Sequence, residues 1–139
     1  MKIFVLTLVL GLALVGVGCG AITKDKAAAT AAIAHFHDLY NQGKADDLWK
    51  AADAKFQAAA PQSKFTELAG AMLRKLGPVK STANTGWSVN NVNLVTTVAM
   101  TQETVFEQGN GTETFTFKMA DGQAVLLGYN IQSNDLLVK

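Results

Sequence analysis

The chain has little of most residues that announce chemistry. One cysteine (Cys19), two histidines (His35 and His37), two prolines and one arginine (Arg74) occur in 139 residues. A lone cysteine closes no intramolecular disulfide and builds no thiolate metal site, so the fold must be held by its core. No cluster of Lys or Arg occurs, and formal net charge is +1. Without a basic face there is nothing to neutralise phosphates, which argues against nucleic acid and against a polybasic membrane patch. No serine sits in a nucleophile elbow or beside a credible base, and no residue set implies a cofactor or a metal. The length suits one domain, large enough to bury about two-thirds of its unfolded surface.

What is present begins with Cys19. An apolar run over residues 3–18 follows a single positive charge, Lys2, and ends among Gly16, Val17, Gly18 and Gly20. That is the pattern of a secretory signal: a short positive start, an apolar stretch below the roughly 20 residues a membrane span needs, and a small-residue exit. Val17-Gly18-Cys19 resembles the bacterial lipobox, with Gly16 where leucine is usual. The resemblance implies cleavage before Cys19, acylation of its thiol and a lipid anchor in the cell envelope. Gly20 is not the aspartate that retains such proteins in the inner membrane, so the outer membrane, facing the periplasm, is the implied address. Cleavage after Gly20, or an uncleaved anchor, are the alternatives. Losing Lys2 with the leader leaves eleven of the twelve Lys and Arg against eleven Asp and Glu. The expected organisation is a leader over 1–18, a tether over 19–25, one domain over 26–132 and a fraying tail over 133–139.

Along the domain, Ile33, Phe36 and Tyr40, with Ala29 and Ala32 upstream, fall at helical spacing, and Gly43 stops that helix. A short helix follows from Ala45, with Asp46 and Asp47 in its first turn, where the helix dipole favours negative charge, and with Leu48 and Trp49 inward. Ser63 is the expected N-cap of a helix whose stripe is Phe65, Leu68, Met72 and Leu76, ended by Gly77-Pro78. Val, Thr, Asn and aromatic residues then take over. Strands are expected over 81–89, 94–106, 112–119 and 124–131, with turns at Gln108-Gly109-Asn110-Gly111 and Asp121-Gly122. Phe115, Phe117 and Met119 share one face. Val125, Leu127, Tyr129 and Ile131 are expected to share another. Helices followed by an antiparallel meander make an α+β fold, with the helices covering one sheet face.

The segments "AHFHDLYNQGKADDLW", "KLGPVKS" and "ETFTFKMADGQAVLLGYNIQ" resemble an uncharacterised bacterial domain family grouped with the cystatin-like and nuclear-transport-factor-2-like cones. The resemblance covers about residues 27–131. Its motifs concern packing and turns, so it implies the fold and assigns no catalytic residue.

His35 and His37, two apart on a helix, diverge by about 200° and cannot share a metal there; both read as surface or capping histidines. Asp46, Asp47 and Asp53 read as helix-start residues, and Glu103, Glu107 and Glu113 as a solvated sheet face. Asn84 to Asn91 surrounds Trp87 with amides and hydroxyls, a sugar-stacking surface or simply a strand edge. Phe36, Tyr40, Trp87, Phe117 and Tyr129 are the candidate lining of a pocket between first helix and sheet, or else a closed core. The first expectation for function is therefore a non-catalytic envelope module, held to the membrane by lipid on Cys19 and binding a protein, a glycan or a small apolar ligand. A small pocket hydrolase or isomerase using a carboxylate or His37 is the second. An assembly module pairing through an apolar outer face of the second strand is the third.

Overall fold

The computed structural model describes residues 18–138. Helix α1 (Gly18–Asn41) is 24 residues long, so the residues expected as a tether form its first turns. The leader and the Cys19 side chain lie outside what is described. Ala29, Ile33, Phe36, His37 and Tyr40 bury one stripe of α1, the spacing of one helical face. Gly43 takes φ +72°, the left-handed conformation a helix stop requires. Helices α2 (Ala45–Ala51), α3 (Ala54–Ala59) and α4 (Gln62–Lys75) follow. Asp53 caps α3, accepting from the Lys55 backbone N–H at 2.9 Å. The cap position of α4 is Pro61, not Ser63. The buried stripe of α4 is Phe65, Ala69, Met72 and then Leu76, whereas Leu68 faces solvent.

Strands β1 (Val79–Val92), β2 (Val95–Phe106), β3 (Gly109–Ala120) and β4 (Gln123–Gln132) pair antiparallel in the order β1-β2-β3-β4. The strands run farther than the periodicity suggested because their ends are polar. Gly109, Asn110 and Gly111 belong to β3, and the β2–β3 turn is Glu107-Gln108. That turn docks on the end of α4: the Gln108 N–H donates to the Leu76 carbonyl at 2.8 Å. The other two turns, Asn93-Leu94 and Asp121-Gly122, have positive φ at both central residues, the type I′ hairpin that matches strand twist. On β4 a bulge opposite Thr116/Phe117 leaves Leu127 without a partner. It moves Ala124 and Leu126 onto the face of Tyr129 and Ile131 in place of Val125 and Leu127, because one extra residue flips the pleat.

The helices cover one face of this curved sheet, giving the α+β architecture. Val98, Met100, Phe115, Phe117 and Leu126 meet α1 and α4 there. Phe115 and Phe117 are 0% and 2% exposed, each stabilising the fold by about 1.5–3 kcal/mol through burial. Helix α1 runs antiparallel to β1. At one end Asn41 exchanges two hydrogen bonds with the Val79 backbone, at 2.7 and 3.3 Å. At the other, the Lys26 ammonium lies 4.7 Å from the Trp87 ring centroid. After β4 comes a short helix, α5 (Asn134–Val138). Asp135 accepts from the Asn110 N–H at 3.1 Å, and the Lys75 ammonium donates to the Leu136 carbonyl at 3.0 Å.

Candidate functional site

Four elements converge on Glu113. It alternates with Gly111, Phe115 and Phe117 on β3, so its side chain points under the helices and is 1% exposed. His37 on α1 meets it through Nε2 at 2.7 Å from Oε2. Thr104 on β2 donates to the same oxygen at 2.6 Å, and the Tyr129 hydroxyl on β4 donates to Oε1 at 2.6 Å. Oε2 thus has two partners and Oε1 one. The chain continues outward: the Thr82 hydroxyl lies 3.0 Å from that of Thr104 and 3.3 Å from Oε1 of Gln102. Burial, reinforced by the charge of Glu113, pushes the Tyr129 phenol well above its usual range, so it remains a donor. The Tyr40 phenol is raised for the same two reasons and donates to the Gly77 carbonyl at 2.9 Å.

The space around this cluster is filled with rings. Phe36 lies 5.1 Å from Phe115 and 4.9 Å from Tyr129, and Phe115 lies 5.1 Å from Tyr129. Among the described residues, every buried side-chain nitrogen and oxygen has a hydrogen-bond partner. No three His, Cys, Asp or Glu side chains of those residues come together as a metal-ligand set.

The five residues expected to line one pocket are dispersed. Phe36 and Phe117 border a recess of about 80 Å³ with Leu48 and Leu126, and Tyr40 borders a separate one of about 110 Å³ with Leu73. Both fall short of the few hundred Å³ typical of ligand sites. Tyr129 is spent on Glu113. Trp87 is 44% exposed at the open flank of β1, with Lys26 on its ring. Near it, Asn84 donates to the Gly86 and Thr101 carbonyls and Asn91 to the Thr96 hydroxyl. Asp46, in the first turn of α2, accepts from Gln62, and Glu103 accepts from Thr112 on the outer sheet face. His35 is exposed.

Two of these assignments are corrections. His37 is a core residue, not a surface or capping one, and Glu113 lies on the buried face of β3. The sequence carried a signal for each. His37 stands four residues after Ile33, on the stripe with Phe36 and Tyr40, and Glu113 has the same parity as Phe115 and Phe117. A titratable residue on an apolar face has to find a partner, and each is the other's.

A larger concavity lies elsewhere. At the α5 end of the molecule, Glu103, Asn110, Thr112, Gln132, Ser133, Asn134 and Asp135 border a cleft of about 430 Å³. It is lined by amides, hydroxyls and carboxylates, open to solvent and without an aromatic ring.

No protein-family model and no curated protein matches the chain. Among solved structures, it is similar to a crystal structure from Novosphingobium aromaticivorans that bears the description "Putative Scytalone Dehydratase". The two are 10% identical, with a TM-score of 0.53 over 82% of this chain and 87% of the other. At that identity the likeness concerns the fold: a nuclear-transport-factor-2-like α+β cone.

Proposed function

We propose that the chain is a lipid-tethered protein of the cell envelope that binds a partner rather than transforming one. One observation carries the non-catalytic half: the closure of the Glu113 cluster. A general acid or base needs the reacting group within hydrogen-bond reach. Here both oxygens of Glu113 are taken by His37, Thr104 and Tyr129, and aromatic rings fill the space a substrate would need. The tether rests on Cys19 and the apolar run before it, with Gly20 favouring the outer membrane. The distal cleft supplies the binding surface. Its amide, hydroxyl and carboxylate lining suits a hydroxyl-rich ligand such as a glycan strand.

Amide and side-chain NMR shifts during titration with soluble glycan fragments test this reading. Shifts confined to Asn110, Asn134 and Asp135 are the expected result. Shifts at His37 and Glu113, with release of product, would contradict it.

A second reading keeps one specific observation in its favour, the buried His37–Glu113 contact beneath α1. In a small pocket hydrolase or isomerase, Glu113 would take a proton and His37 would relay it, once α1 swung away to admit substrate. The assembly reading lacks the continuous apolar outer face it calls for: the outward residues of β2 are Val95, Thr97, Ala99, Thr101, Glu103 and Val105, whose two valines stand at opposite ends of the strand.

A further inference from the structure

The β1–β2 hairpin tip is apolar and stands in water. Leu94 is 96% exposed, Val92 61% and Val95 44%. Leu94 also holds φ +65°, a conformation that β-hairpin turns normally give to glycine. An isolated exposed leucine needs no explanation. Three apolar residues crowning one tip, one of them in a strained conformation, ask for one.

The fold says what lies beside this tip. Because α1 runs antiparallel to β1, the start of α1 and the β1–β2 turn point the same way. From the Lys26–Trp87 contact, Cys19 lies seven helical residues farther on, about 10 Å. The turn at Asn93 lies six strand residues beyond the same contact, about 20 Å. The tip therefore reaches about 10 Å past Cys19. Ile22, on the protruding start of α1, is itself 44% exposed. An apolar hollow of about 350 Å³ beneath the tip, bordered by Val92, Val95 and Leu127, has Lys55 among its lining. That places a cation where lipid phosphates would lie.

We propose that the β1–β2 tip is a membrane-insertion element: Val92, Leu94 and Val95 enter the bilayer next to the lipid on Cys19. The inference rests on the tethered reading above. A chain anchored at Cys19 holds the tip at about the 5–10 Å depth that interfacial elements occupy. Acyl chain and tip together give the two signals that stable attachment requires. Held at two points, the domain keeps one orientation, with the polar cleft facing away from the membrane.

The test uses the full chain isolated from the envelope, with Leu94→Cys carrying an environment-sensitive dye. It is reconstituted in vesicles of phosphatidylethanolamine and phosphatidylglycerol with brominated acyl chains. Val92→Cys is the second probe should the turn variant fold poorly. Leu137→Cys, at an 81% exposed position on α5, is the control at the opposite end. Intact mass, read first, counts acyl chains and dyes, because an unacylated Cys19 would take a second dye. The expected result is a blue-shifted emission and bromine quenching severalfold greater at 94 and 92 than at 137. Water-like emission at 92 and 94 in an acylated chain overturns the insertion. A blue shift without bromine quenching overturns it too, since protein would then be covering the tip. Absent acyl chains with quenching retained at Val92→Cys would overturn the tether and leave the insertion standing.

Discussion

At the scale of single residues, the structure turns on Glu113. Three side chains converge on a carboxyl that is 1% exposed: His37 and Thr104 share Oε2, and Tyr129 alone serves Oε1. Tyr129→Phe deletes the sole donor seen at Oε1 and should cost about 1–3 kcal/mol in urea unfolding. Asp53 illustrates the opposite setting, near the surface. The Lys55 backbone N–H, and then the Lys118 ammonium at 3.1 Å, hold its carboxyl below the usual range. A carboxyl lowered in the folded state adds stability above its unfolded value, about pH 3.9. That stability is lost as pH falls through the folded value. Asp53→Asn should therefore be less stable than the parent at pH 7, with the difference shrinking below about pH 4; denaturant midpoints across that window check it. These two residues also mark how far the sequence could be read. Asp53 was legible as a helix-start residue because its partner is two positions away. Glu113 and His37 were misassigned because each finds its partner across 76 residues. Polarity alone suggested solvent, although the parity of β3 and the stripe of α1 pointed inward.

At the scale of elements, local signals served wherever an element ends in residues that only one conformation suits. Gly77, with φ +77°, closes α4, and Asp121-Gly122 closes β3. Gly43 likewise follows α1. Where the usual residue is missing, the element hid. The β1–β2 turn is type I′, yet its second central residue is Leu94 instead of glycine, so nothing marked it. The bulge at Leu127 was equally invisible, since Ala124 to Ile131 alternates acceptably in either register. The turn yields a prediction in which stability and attachment part company. A left-handed leucine costs about 1–2 kcal/mol, and glycine removes that cost. Leu94→Gly should raise the thermal midpoint by a few degrees while weakening vesicle attachment. Calorimetry and vesicle flotation of the same preparation check both halves.

At the scale of the whole molecule, the sheet has two unlike ends. One carries the start of α1 and the apolar hairpin tip. The other carries α5 and the polar cleft, about 26 Å along β2 from Val95 to Glu103 by strand rise. The helices covering the inner face were legible in outline, because an antiparallel meander must bury one side. Whether that interior is an open pocket or a closed core was not, since the same aromatic residues suit both. The answer came from the polar cluster they surround. Glu113 ties α1 to β2, β3 and β4 at once, a latch that fixes the helix on the sheet. Urea unfolding of Glu113→Gln bears on this most directly. The substitution keeps the shape but puts an amide N–H₂ in place of one oxygen, against either the Tyr129 hydroxyl or the His37 and Thr104 side chains. A loss of about 1–3 kcal/mol is expected, and a double-mutant cycle with His37→Gln should return coupling of about 0.5–3 kcal/mol. An unchanged or raised midpoint, the behaviour of a residue kept for chemistry at the expense of stability, would contradict it.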